Sequence, residues 1–159
     1  ADLLHRGVVD NRGYADQYDV HLEIVELPDR ALVRVDRNRI LQVLANLISN
    51  AAKFSPPGGT VTLRVSALER VFCIDVHDAG SGIPEEFREH IFSRFAQADA
   101  SASRPRGGTG LGLSISKSIV EHHGGTMSFE SDAAHGTTFR VELPVLSAGG
   151  HHRSTTPPR

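Results

Sequence analysis

Apolar positions recur along this chain with two periods, and the changes between them mark out the elements. From Arg37 to Phe54 the spacing is helical. Ile40, Leu44, Leu47, Ile48 and Ala51 fall on one face at about 100° per residue. Asp36 stands where an N-cap belongs, and Pro56-Pro57-Gly58-Gly59 stops the run. Alternation then takes over: Val61, Leu63, Val65 and Ala67 share one face, and Phe72, Ile74 and Val76 share another. Two half-buried strands are predicted there. Upstream, residues 2–18 read as a weaker helix interrupted by Gly7 and Gly13, while His21–Leu27 and Ala31–Val35 read as a hairpin around Pro28-Asp29-Arg30. Downstream, Pro84 opens a short helix reaching Phe92. Residues 93–110 are small, polar and rich in Gly and Arg, which predicts a mobile loop. A helix over Ser114–His123 ends at Gly124-Gly125. Two strands, Thr126–Ser131 and Gly136–Leu143, close the pattern around an Asp132–His135 turn.

Strands mixed with helices in this order predict an α/β two-layer sandwich, a mixed sheet of about five strands packed on three or so helices. One domain is expected over residues 1–146, followed by a disordered tail over 147–159 rich in Gly, His, Ser, Thr and Pro. The opening Ala1-Asp-Leu-Leu enters mid-pattern, so the chain reads as a piece of a longer protein.

Composition narrows the function classes. At 159 residues, with 39% hydrophobic and 23% charged positions, the chain is long enough to bury a core of its own. A net charge of −2 argues for neither nucleic acid nor an anionic membrane as partner. The single Cys73 excludes an intrachain disulfide and a Cys-rich metal site, which fits a reducing, cytoplasmic setting. No apolar run approaches the roughly 20 residues that span a bilayer, and no segment reads as a secretion signal. The expected localisation is cytoplasmic, with any membrane anchor left to the parent chain.

Three groups of residues carry chemistry. Asn46, Asn50 and Lys53 follow one another along the predicted helix inside an arc of roughly 60° beside its apolar face. An amide oxygen suits Mg²⁺, and an ammonium suits a phosphate; the same stripe equally suits a solvated flank. Asp78 has the strand parity of Phe72, Ile74 and Val76, so its carboxylate points with the core residues and needs a partner there. The exocyclic amine of adenine is a suitable donor, with Gly80 and Gly82 leaving room for the ring; a local turn closed on Gly80 is the plainer alternative. Gly107-Gly-Thr-Gly-Leu-Gly-Leu113 packs four glycines into seven residues before a helix. It fits neither the P-loop pattern nor the dinucleotide fingerprint. A glycine-rich hinge feeding a helix N-terminus remains, with Arg104 and Arg106 upstream and a flexible linker as the alternative.

Taken in order, these segments resemble the catalytic, ATP-binding domain of sensor histidine kinases, with the Bergerat-type fold of the gyrase, Hsp90 and MutL superfamily. Leu44–Ser55 looks like that family's N box, Asp78-Ala-Gly80-Ser-Gly82-Ile83 its G1 box, Ile91-Phe92-Ser-Arg-Phe95 its F box, and Gly108-Thr109-Gly110-Leu111-Gly112-Leu113 its G2 box. Gly136–Pro144 is similar to the family's last strand. The resemblance covers residues from about 1 to 146.

It implies ATP and Mg²⁺ as cofactors, with Asn50 on the metal, Lys53 on phosphate and Phe54 near the adenine. Asp78 would accept from the adenine amine. Gly80, Gly82, Gly108, Gly110 and Gly112 would shape the pocket and a lid, with Thr109 in that lid and amides near Leu111–Leu113 on the phosphates. Phe92 and Phe95 would anchor the lid or simply fill core. Thr137 shares the parity of Phe139 and Val141, which lets it reach Asp78 or a buried water. Asn46 occupies the position where the hydrolytic relatives carry a glutamate general base, and an amide has no useful basicity. Holding ATP for a delivered nucleophile is therefore expected, rather than hydrolysis.

None of the nine histidines lies in a motif resembling His-Glu-x-x-x-Pro. The implied partners are thus a phosphoacceptor and dimerisation hairpin of the parent chain and a response regulator, with no nucleic acid and no direct membrane contact. A serine kinase of the anti-sigma type and a non-catalytic nucleotide-binding module are the alternatives.

Overall fold

A computed structural model describes residues 1–28, 33–95 and 110–145. Its elements are α1 (Asp2–Asp16), β1 (His21–Glu26), α2 (Arg37–Phe54), β2 (Thr60–Leu68), β3 (Val71–Asp78), α3 (Glu85–Arg88), α4 (Gly112–His122), β4 (Thr126–Asp132) and β5 (Gly136–Pro144). The five strands form one sheet in the order β1-β2-β3-β5-β4. β1 runs parallel to β2, and the other pairs are antiparallel. This is the open mixed sheet under helices that the two-layer expectation describes.

One side of the sheet makes the core. Val61, Leu63 and Val65 of β2, Phe72 and Val76 of β3, Phe139, Val141 and Leu143 of β5, and Met127 of β4 are buried there against Ile40, Leu44, Leu47, Ile48 and Ala51 of α2. α2 is the central helix. Asp36 caps it as its position implied, accepting from the amides of Asn38 (2.9 Å) and Arg39 (3.1 Å). At its far end the Ser55 hydroxyl donates to the Ala51 carbonyl (2.8 Å) before the two prolines. Gly7 does not interrupt α1. A Cβ there would lie 3.1 Å from Leu44, so the glycine lets α1 approach α2 closely.

The N-terminal hairpin is a correction. β1 pairs with β2, reached over α2, and Val33 bridges to Val145 beyond β5. Leu22 and Ile24 align with Val61 and Leu63 and gain cover from the helices that a two-stranded ribbon lacks. The tip of the expected hairpin, residues 29–32, lies outside the described residues, as do the expected tail over 147–159 and most of the expected mobile loop over 93–110. Among the described residues no helix is long and apolar enough to cross a membrane.

The opposite side of the sheet is polar. Arg140 clasps Asp75 with two hydrogen bonds of 2.7 and 2.9 Å, and Thr126 donates to Glu142 (2.7 Å).

Candidate functional site

Asp78 ends β3 on the helix-covered side and is only 4% exposed. Its carboxylate accepts from the Gly80 amide at 2.9 Å. The local turn is therefore real, and so is the burial. Burial pushes the Asp78 carboxyl above its ordinary pKa; the Gly80 amide, the neighbouring His77 and the Thr137 amide oppose that shift without cancelling it.

Two elements wall this corner. The Gly80 backbone lies on the carbonyl of Phe54, at the end of α2, where a Cβ would come within 2.5 Å. The last turn of α2, with Asn50 and Lys53, thereby abuts the Asp78 loop. On the other side, Gly82 adopts φ 77° and leaves a Cβ no space, 2.5 Å from the Asp132 carbonyl in the β4–β5 turn. Only glycine combines that left-handed backbone with so close a neighbour. The next amide, Ile83, donates to the Ser131 hydroxyl (2.7 Å), and that hydroxyl lies 2.9 Å from the Thr137 hydroxyl. Thr137 is the β5 partner of Asp78, buried at 5% exposure. Its hydroxyl is engaged by Ser131, while its backbone amide serves the Asp78 carboxyl.

The stripe on α2 divides. The Asn46 carboxamide donates to the Ser116 hydroxyl of α4 (3.0 Å) and lies against Gly112, where it leaves no room for a side chain. The Asn50 side chain, half-buried one turn on, makes no hydrogen bond with another described side chain or backbone group. Lys53 lies over the Phe54 ring, 5.3 Å from its centroid, and Phe54 itself is 45% exposed.

The F-box aromatics also part company. Phe92 packs edge-on against Phe129 (5.8 Å) and Phe139 (6.4 Å) and belongs to the core. Phe95 is 71% exposed, with its backbone at φ 63°, and its amide donates to the Gly110 carbonyl (2.9 Å). Gly108, Thr109, Arg104 and Arg106 lie outside the described residues. From Gly112 to His122 the chain is helical. Leu111 at the N-cap supplies no side-chain cap, and Leu113 packs toward the core. Among the described residues, no side chain caps the first-turn amides of α4.

This corner brings together a buried acceptor, an amide oxygen with no partner among the described residues, an ammonium and a helix start whose N-cap supplies no side-chain cap. A family model described as "Histidine kinase-, DNA gyrase B-, and HSP90-like ATPase" matches residues 35–147. The chain belongs to that family. Among relatives of this ATPase-like domain, the sensor histidine kinase WalK of Bacillus subtilis is 46% identical over 128 residues, covering 78% of this chain and 21% of WalK. The histidine protein kinase DivJ of Caulobacter vibrioides is 39% identical over 166 residues, covering 98% of this chain and 28% of DivJ. The chain thus spans only 21% and 28% of the length of these relatives. Among solved structures, the mycobacterial sensor histidine kinase MprB superposes with a TM-score of 0.78 at 30% identity, covering 91% of this chain and 94% of that one. Full-length ShkA in complex with AMPPNP superposes with a TM-score of 0.79 at 26% identity, over 93% of this chain and 30% of that one. The ATP-binding catalytic module of sensor histidine kinases is the part these likenesses cover.

Sequence reasoning passed over two residues. Ser116 is the buried polar residue on the inward face of α4, and Ser131 has the inward parity of Met127 and Phe129 in β4. In each case a hydroxyl in an apolar register was the available signal.

Proposed function

We propose that this chain is the nucleotide-holding half of a protein histidine kinase. It positions Mg·ATP for attack by an imidazole on a helical hairpin of the parent chain, from which the phosphoryl group passes to a response regulator. The observation that carries this reading is the buried, Gly80-turned carboxylate of Asp78 beside the last turn of α2. An adenine amine gives that acceptor its donor. Glycine backbone leaves the ring its space.

The triphosphate then lies between α2 and the start of α4. Lys53 meets it as a point charge, and the uncapped first-turn amides of α4 offer N–H groups to its oxygens. Mg²⁺ fits the donor set, because Asn50 is a half-buried oxygen donor with no other engagement among the described residues, and Mg²⁺ takes few protein oxygens while keeping waters. Asn50 would hold the ion, which when bound would supply charge neutralisation on the phosphates. Catalysis here is positioning and electrostatics.

Asn46 supports transfer over hydrolysis. It carries an amide where a hydrolase needs a base, and that amide is committed to Ser116. The curated relatives named above are histidine kinases, which favours histidine over serine as acceptor.

The test uses this chain with γ-labelled ATP, alone and with a separately expressed hairpin from the parent protein. Acid-labile phosphate on the hairpin histidine, absent when that residue is replaced by Gln, is expected. Fast ATP turnover by the chain alone, or phosphate on its own histidines, would overturn the reading.

A further inference from the structure

Lys117 stands in the second turn of α4 with its ammonium over the Phe92 ring, 5.0 Å from the centroid. Glu121, on the same helix, is 3.9 Å away, and the two side chains are 40% and 56% exposed, so that ion pair holds little. Phe92 is the firmer partner. It is half-buried, and T-shaped contacts with Phe129 of β4 and Phe139 of β5 hold its ring. A cation is attracted to the negative face of such a ring. The contact therefore ties α4 to the sheet through an aromatic side chain that both strands support.

This brace falls close to the start of the helix. Lys117 lies four residues after Leu113, about one turn. Phe95, three residues after Phe92, donates its amide to the Gly110 carbonyl at 2.9 Å. The segment from Phe92 to Phe95 thus meets the beginning of α4 at two points. From α2, Asn46 holds Ser116. Successive helical residues project about 100° apart, so Ser116 and Lys117 hold the helix from two directions. A helix held from one side can pivot; held from two, it keeps the direction of its first-turn N–H groups.

We infer that Lys117 is a positioning residue for phosphate: through its charge on the Phe92 ring it sets the angle at which the first-turn amides of α4 meet the phosphates. This rests on the reading that the triphosphate lies at the start of α4. Lys117 touches no phosphate itself.

Calorimetry with Mg·ADP tests it in three further chains: Lys117→Met, Lys117→Arg, and one with a trifluorinated phenylalanine in place of Phe92. The fluorinated ring keeps its shape, so the core is retained, but its face loses negative charge. Lys117→Met should lose about fivefold in affinity, and the fluorinated ring about as much. Lys117→Arg should stay within about twofold of the parent, because a guanidinium also binds over a ring. Combining Lys117→Met with the fluorinated ring should cost no more than either change alone. Unchanged affinity with the fluorinated ring would mean that the ammonium acts on phosphate directly by its charge, and would overturn the inference. So would losses that multiply in the combined variant. A lower Tm in Lys117→Met with unchanged ADP affinity would make the contact merely structural, which overturns it too. These outcomes leave the phosphate site at α4 intact. No binding of Mg·ADP by the parent chain overturns both.

Discussion

The Asn46 carboxamide donates to the Ser116 hydroxyl at 3.0 Å, joining the middle of α2 to the second turn of α4. Ser116 is 1% exposed and Asn46 half-buried, so the bond lies between the two helices. Its consequence is positional: α4, whose first turn faces the proposed phosphate site, is anchored to the helix that carries Asn50 and Lys53. Removing the amide strands a buried hydroxyl. Asn46→Ala is expected to lower stability by about 1–2 kcal/mol, and urea unfolding with an unchanged m-value checks it. A midpoint equal to the parent's would mean that the bond contributes nothing.

Gly112 is the steric half of that contact. A Cβ at Gly112 would overlap the Asn46 carboxamide oxygen. Gly112→Ala alone should therefore displace the start of α4 and weaken ATP binding. Combined with Asn46→Ala, which removes the overlapping group, its cost should shrink, giving a coupling of at least about 0.5 kcal/mol in a double-mutant cycle. Additive costs would show that the two positions do not press on one another.

Asp78 should trade stability against binding. Burial holds its pKa above the ordinary 3.8, so the folded chain holds this proton more tightly than the unfolded chain does. The corresponding stability is fully present below pH 3.8 and is lost as pH rises through the raised folded value. Nucleotide affinity should move the other way, rising as the carboxylate ionises. At neutral pH, Asp78→Asn should melt at the same temperature as the parent or higher, and should bind ADP at least about tenfold more weakly. A several-degree loss in Tm with unchanged affinity would reduce Asp78 to a turn residue.

On the far side of the sheet, Arg140 and Asp75 are paired by two hydrogen bonds, with the Arg side chain 41% exposed and the Asp 12%. Asp75 raises the Arg140 pKa further through those bonds, so the guanidinium stays charged at any working pH. Arg140→Met leaves the carboxylate without its counter-ion and should cost about 1–2 kcal/mol, reduced from a fully buried pair by solvent screening. ATP affinity should not change, because the pair faces away from Asp78. Parallel melting and binding measurements separate the two effects, and a loss of affinity would contradict the division between the faces.

Much of this protein was legible in one dimension. Helical spacing marked α2, the Asp36 cap and the Pro-Pro stop set its ends, and alternation assigned the buried faces of β2 and β3. These are local properties, in which neighbours along the chain are also neighbours in space. The Asp78 parity belongs with them: a carboxylate in an apolar register is visible before any fold is known. Pairing was decided only by the tertiary structure. β1 forsook its expected hairpin for a parallel place beside β2, because cover from the helices outweighs a short local ribbon. Asn46 and Asn50 look alike on a helical wheel, yet α4 claims the first and leaves the second. Ser131 and Ile83 stand 48 residues apart. A hydrogen bond depends on distances of about 3 Å, and no spacing along the chain reports such a distance until the sheet has brought the strands together.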